Sequence, residues 1–209
     1  MRLFSPDGKL YRGMVKLTEA VGINLLWILF SLPVVTFGAS TAAAFSVLMK
    51  LVKDEEGHVA QDFLAAFRAN LKQGIAMSFI NLVCIAAVYL DIRIMDAAEE
   101  NSFVFLIIAV VAGYVFIFSL LYAYPLIVRY ENTVLNTLRN SFRISMRYFL
   151  RSLGAVILAA MEIFLFVFNY TTLFIGLFFG GSVVMGTISL FANAVFEDIE
   201  KNTPEAVKR

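Results

Sequence analysis

Charged side chains are missing from residues 20–49, thirty positions in a row, and again from 75–90, 103–128, 152–161 and 172–196. Only 16% of the 209 residues are charged, against about 25% in a typical soluble domain. This excludes an ordinary water-soluble fold, because 18 or more apolar residues suffice to cross a ~30 Å hydrocarbon core as a helix. Cysteine is nearly absent: the lone Cys84 lies inside an apolar run and excludes an intrachain disulfide. The single His58 excludes a His-rich metal site, and the neighbouring acidic residues Asp54, Glu55 and Glu56 have no second ligand set and read as a solvated helix start. Gly-x-Ser-x-Gly, His-Glu-x-x-His and the phosphate-binding Gly-x-x-x-x-Gly-Lys-(Ser/Thr) are all absent. We therefore expect no enzymatic activity, no cofactor and no metal. No basic surface interleaved with aromatic residues points to nucleic acid.

What is present is an all-α pattern: a polytopic transmembrane helix bundle of about six helical segments, forming one integral membrane domain over 1–209. The N-terminus mimics a signal peptide, with Arg2, Lys9, Arg12 and Lys16 before an apolar run and Ala39, Ser40, Thr41 and Ala42 after Pro33. The run greatly exceeds a 7–15-residue signal core, so it reads as membrane-spanning.

Lys and Arg concentrate in cytoplasmic loops of membrane proteins. Here 16 of 17 basic residues fall in four segments: the N-terminal tail, 50–74, 129–151 and the C-terminal tail. The acidic 91–102 loop (Asp91, Asp96, Glu99, Glu100) and the uncharged 169–172 turn fall between them. Placing the four basic segments on one side puts both termini in the cytoplasm and requires an even number of crossings before segment 50–74. Pro33 supplies the break, since it lacks a backbone donor and disfavours helical geometry at Leu32, and Gly38 adds a second flexible point. We read helices over 14–32 and 39–52 around a Pro33–Gly38 corner, then 75–95, 103–128, 152–170 and 172–196. The 39–52 helix is short, about 20 Å at 1.5 Å per residue. It is a full crossing or a re-entrant element, which would have to be buried in protein. A five-crossing chain with its N-terminus outside is the alternative.

The cytoplasmic segments 53–73 and 130–151, like the tails 1–13 and 197–209, carry the charge. The first two share the pattern Phe-Arg-x-x-x-(Lys/Arg): Phe67-Arg68 to Lys72, and Phe142-Arg143 to Arg147. This spacing places two cations one turn apart on one helix face. Phe63, Phe67 and Leu71, and Phe142, Met146 and Phe149, recur at helical spacing. Both segments read as amphipathic helices at the membrane surface. Their cations Arg68, Lys72, Arg143 and Arg147 are candidates for contact with lipid phosphates or with a docking partner.

The stretch Asn24-Leu25-Leu26-Trp27-Ile28-Leu29-Phe30-Ser31-Leu32-Pro33-Val34-Val35-Thr36-Phe37-Gly38-Ala39-Ser40-Thr41-Ala42-Ala43 resembles the opening of the YesL-like bacterial membrane proteins. So do Glu55-Glu56-Gly57 followed by Phe63 through Gln73, and Glu131-Asn132-Thr133 leading into Asn140-Ser141-Phe142. The resemblance implies a bacterial cell membrane protein of a family of unknown molecular activity, with no established catalytic residues to carry over. Members are often encoded near carbohydrate-uptake genes, which implies carbohydrate-transporter subunits or a membrane sensor as partners.

Glu162 is the acidic residue deepest in an apolar segment, and such a residue usually faces the bundle interior. It is a candidate proton- or substrate-binding carboxylate, or a carboxyl that pins two helices. Asn24, Asn81 and Asn193, each in another apolar segment, are its candidate partners. The Pro33–Gly38 corner resembles the broken helices of transporter sites, or is a tight turn. Trp27 reads as a packing residue. Tyr122, Tyr124 and Tyr130 read as an aromatic belt. Gly176 and Gly180 form Gly-x-x-x-Gly, a close-packing motif. The leading expectation is a non-catalytic accessory or regulatory protein tied to carbohydrate uptake. The second is a self-contained small-solute transporter using Glu162 and the corner.

Overall fold

A computed structural model describes residues 9–55, 57–97 and 102–202. Glu56, Glu99, Glu100 and the tail residues 1–8 and 203–209 lie outside the described residues. The elements are α1 (Lys9–Ser31), a 3-10 turn (Val34–Thr36), α2 (Phe37–Val52), α3 (Val59–Ala69), α4 (Leu71–Ala97), α5 (Ser102–Leu120), α6 (Ala123–Arg129), α7 (Val134–Arg147), α8 (Phe149–Val167) and α9 (Tyr170–Asn202). The chain is an all-α polytopic bundle, with six stretches long and apolar enough to cross a membrane: Gly13–Ser31, Val34–Val52, Leu71–Ile94, Leu106–Arg129, Phe149–Val167 and Tyr170–Asn202.

The centre of the bundle is α2. From Gly38 to Met49 every residue except Ser46 is buried, and α2 packs against α1, α3, α4, α6 and α9. Its sequence explains the position. The run Gly38-Ala39-Ser40-Thr41-Ala42-Ala43-Ala44 has almost no side-chain bulk, so neighbouring backbones can approach closely, the contact lipid cannot supply. The closest approach is between Gly38 and Gly74 of α4, where a Cβ on Gly38 would run into the Gly74 carbonyl and one on Gly74 into the Ala39 backbone.

Much of the corner before α2 is tied by internal hydrogen bonds, although Ser31 Oγ at the end of α1 is buried with no partner among the described residues. Pro33 is extended. The Thr36 hydroxyl reaches back to the carbonyls of Phe30 (2.7 Å) and Pro33 (2.8 Å). Ser40 Oγ donates to the Trp27 carbonyl (2.8 Å), and Trp27 Nε1 donates to Thr41 Oγ1 (3.1 Å). The Gly38 N–H donates across to Ser78 Oγ on α4 (2.7 Å). Gly38 is thus a point of close contact inside the helix rather than a second hinge.

The apolar run 103–128 is not one helix. It breaks at Leu121–Tyr122, because Pro125 lacks the N–H that would bond the Leu121 carbonyl and its ring crowds that carbonyl. The surface helix α7 repairs the break: the Tyr122 N–H donates to Ser141 Oγ (3.1 Å) and Ser145 Oγ donates to the Phe118 carbonyl (2.8 Å). The stripe of α7 buried in the bundle is therefore Thr137, Ser141 and Ser145, while Phe142 and Met146 are half-buried and Phe149, the first residue of α8, is exposed. The aromatic belt is corrected. Tyr122 is fully buried with its hydroxyl on Ser152 (3.2 Å), Tyr124 is buried against Asn81, and only Tyr130 reaches the surface. The kink turns these rings inward.

At the other end of the bundle α8 and α9 meet in a tight turn. The Thr172 N–H donates to Asn169 Oδ1 (2.9 Å), capping the start of α9. Gly176 and Gly180 then face Phe166 of α8, so this Gly-x-x-x-Gly packs within the chain.

Candidate functional site

The basic segments grouped by counting charge meet at one end of the bundle. Lys16 pairs with Asp54 (2.6 Å), Lys50 with Asp62 (3.4 Å), Lys53 with Glu197 (2.8 Å), Arg129 with Glu200 (2.8 Å) and Arg151 with Asp198 (2.8 Å). Each is solvated and worth at most about 1 kcal/mol. Their value is positional: they fix the ends of α1, α2, α6, α8 and α9 in one layer.

The most organised node there is Arg129. Its guanidinium forks onto Glu200, Nε to Oε1 (3.0 Å) and Nη2 to Oε2 (2.8 Å), and Nη1 reaches Asn193 Oδ1 (3.4 Å). The cation lies 5.6 Å from the centre of the Phe196 ring. Asn193 Nδ2 in turn donates to the Met49 carbonyl (3.1 Å), joining α9 to the end of α2. Tyr130 donates to Glu200 Oε1 (2.6 Å). Burial, then the hydrogen bond and charge of Glu200, push the Tyr130 phenol up to about 12.

Beside this node opens a cleft of about 890 Å³ between α6, α7 and the last turns of α9. α7 contributes Asn140, Arg143 and Arg147 together with Ile144, and the α6 and α9 side contributes Leu126, Phe196 and Ile199 together with Tyr130 and Glu200. The candidates Arg143 and Arg147 therefore share one site. Arg68 closes α3 and Lys72 opens α4, both exposed. Among the described residues none of these four cations forms an ion pair, while Arg147 lies 5.8 Å from the Tyr148 ring centre. The sequence reading missed the cleft, because α6 and the end of α9 are about seventy residues apart. The one available signal was Pro125, which ends the long run and turns Tyr130 toward α9.

The intramembrane candidates do not converge. Glu162 accepts a hydrogen bond from Thr187 of α9 (2.6 Å), and its Oε2 is buried with no partner. None of the three expected asparagines bonds to it. Asn24 clamps α9 instead, donating to the Leu177 carbonyl (2.7 Å) and accepting from the Ser182 N–H (3.0 Å). Asn81 Nδ2 donates to Tyr124 Oη (2.6 Å), leaving its Oδ1 buried and unpaired. Each carboxyl or amide thus ties a different helix pair, and the Pro33–Gly38 corner stands apart from Glu162. No group of three or more metal-ligating side chains occurs among the described residues.

Residues 20–92 match a family described as "Protein of unknown function, DUF624". A curated relative, "Uncharacterized protein YesL" of Bacillus subtilis (strain 168), is 29% identical over 188 residues, spanning 86% of this chain and 85% of the relative. No solved structure matches. Both comparisons agree with the resemblance carried by residues 24–43: the chain is similar to YesL-like proteins of unknown function.

Proposed function

We propose that this chain is a non-catalytic accessory or regulatory protein of the bacterial cell membrane, with both termini cytoplasmic, serving carbohydrate uptake by docking a transporter subunit or membrane sensor on its basic end. The observation that supports it is the division of cations at that end. Lys16, Lys50, Lys53, Arg129 and Arg151 are paired within the chain, whereas Arg68, Lys72, Arg143 and Arg147 are not, among the described residues. Exposed charges left without a carboxylate of their own are suited to steering and orienting an acidic partner. The carbohydrate link rests on the family resemblance alone. Purification from native membranes in mild detergent tests the reading. Transporter or sensor subunits should co-purify with the wild type and be lost from Arg68→Glu/Lys72→Glu; retained subunits would defeat it.

A second reading, a self-contained transporter, is favoured by one observation: Glu162 Oε2 is buried without a hydrogen-bond partner, an arrangement that suits a group exchanging a proton or ligand. Against it, the polar groups of the Pro33–Gly38 corner are engaged internally. Unchanged solute flux in vesicles carrying Glu162→Gln would remove this reading.

A further inference from the structure

We propose that the cleft between α6, α7 and the end of α9 binds the phosphate headgroup of an anionic phospholipid. The cleft has unbalanced positive charge. Its one lining carboxylate, Glu200, is already held by both arms of Arg129 and by Tyr130. Arg143 and Arg147 face it with no carboxylate of their own among the described residues, and Asn140 adds an amide whose polar atoms bond to no described residue. Positions 140, 143 and 147 lie at three- and four-residue spacing, so three donors converge from one helix face, and guanidinium forks match phosphate oxygens.

Three features favour a lipid over a soluble anion. Part of the lining is apolar (Leu126, Ile144, Phe196, Ile199), which suits glycerol and the first acyl carbons. The cleft also lies at the right depth. The 33 residues of α9 extend about 50 Å, some 20 Å beyond a ~30 Å hydrocarbon core. A core starting at Thr172 ends near Ala192, which leaves Phe196 about 6 Å beyond it, at the headgroup layer, and Ile199 and Glu200 about 10–12 Å beyond it, at its aqueous edge. Finally, large apolar side chains flank the cations: Leu135, in the first turn of α7, is 79% exposed, and Leu150, in the first turn of α8, is 81% exposed. Both would sit in water unless the start of α7 and the start of α8 lie at the membrane surface. Basic pockets at the ends of spanning helices are suited to anionic headgroups.

This goes beyond the docking reading and divides the basic end, giving the α7 pair to lipid and leaving Arg68 and Lys72 for a protein. It can fail separately, because the test uses purified protein with no partner. Native mass spectrometry of the delipidated full chain, titrated with phosphatidylglycerol or phosphatidylcholine, should show phosphatidylglycerol retained roughly tenfold better. Arg143→Gln/Arg147→Gln should abolish that preference, and Arg68→Gln/Lys72→Gln should keep it. Equal retention of the two lipids by the wild type would overturn the proposal, and this comparison stands even if a variant does not fold. Displacement of the lipid by millimolar inorganic phosphate would also overturn it, marking the cleft as a soluble-anion site. Loss of the preference in the Arg68/Lys72 variant as well would reduce it to general surface attraction.

Discussion

Helices α2 and α5 are both apolar enough to lie in a membrane, yet they occupy opposite places in the molecule. α2, whose first half is built of Gly, Ala, Ser and Thr, is buried almost throughout. α5, built of Val, Ile and Phe, exposes Leu106, Ile107, Ile108, Val110, Val111, Val115 and Ile117. In water the order would be reversed, because burial would favour the larger apolar side chains. In lipid, bulk gains nothing by leaving the acyl chains, and position is decided by how closely backbones can pack and where polar groups find partners. α2 has both advantages: the Gly38–Gly74 contact, and hydroxyls at positions 40 and 41 that bond within the bundle.

The sharpest way to break this contrast is to add bulk to each helix. Gly74→Leu should force α2 and α4 apart at a cost of about 3 kcal/mol or more, seen as loss of a monodisperse peak or a large fall in thermal midpoint in detergent. Gly113→Leu on α5, where a Cβ meets nothing within 4 Å, should leave both unchanged. Next in size is the node that anchors the end of α2. Glu200→Gln removes the charge gripped by Arg129 and should cost about 1 kcal/mol, moderated because Glu200 is partly exposed, with the loss shrinking in high salt. Asn24→Ala, which releases α1 from α9, should cost about 1 kcal/mol and be insensitive to salt. The smallest effect is on pH dependence. The Tyr130 phenol is raised in the folded state to about 12 from its ordinary value of 10, so its contribution is present below pH 10 and is lost as pH rises toward 12. Wild type should exceed Tyr130→Phe in thermal midpoint at pH 8, and the gap should narrow from pH 10 and close only near pH 12.

The spans were legible because uncharged runs of this length have one common outcome, and the shared end was legible because Lys and Arg avoid translocation. The helix break at Leu121 was also written in the sequence, in Pro125, but a strongly apolar run hides a single proline. What α7 buries was not legible. Periodicity marks only an apolar face for the membrane surface, whereas the broken backbone at Phe118–Tyr122 requires hydroxyls, and Ser141 and Ser145 supply them. The partner of Glu162 was misread for a related reason. Asparagine stands out in an apolar segment, while Thr187 looks ordinary there and fits beside the carboxyl. The cleft depends on α6, α7 and α9 coming together, and no local pattern carries that.

The most direct measurement is lipid-phase photolabelling of the unmodified protein. The chain would be reconstituted with a diazirine-bearing phospholipid, irradiated, and its adducts mapped by peptide mass spectrometry. Adducts should fall on 79–94, 103–117 and 157–174, with residues 39–49 unlabelled. Labelling of 39–49 as heavy as that of 103–117 would contradict the placement of α2 at the centre.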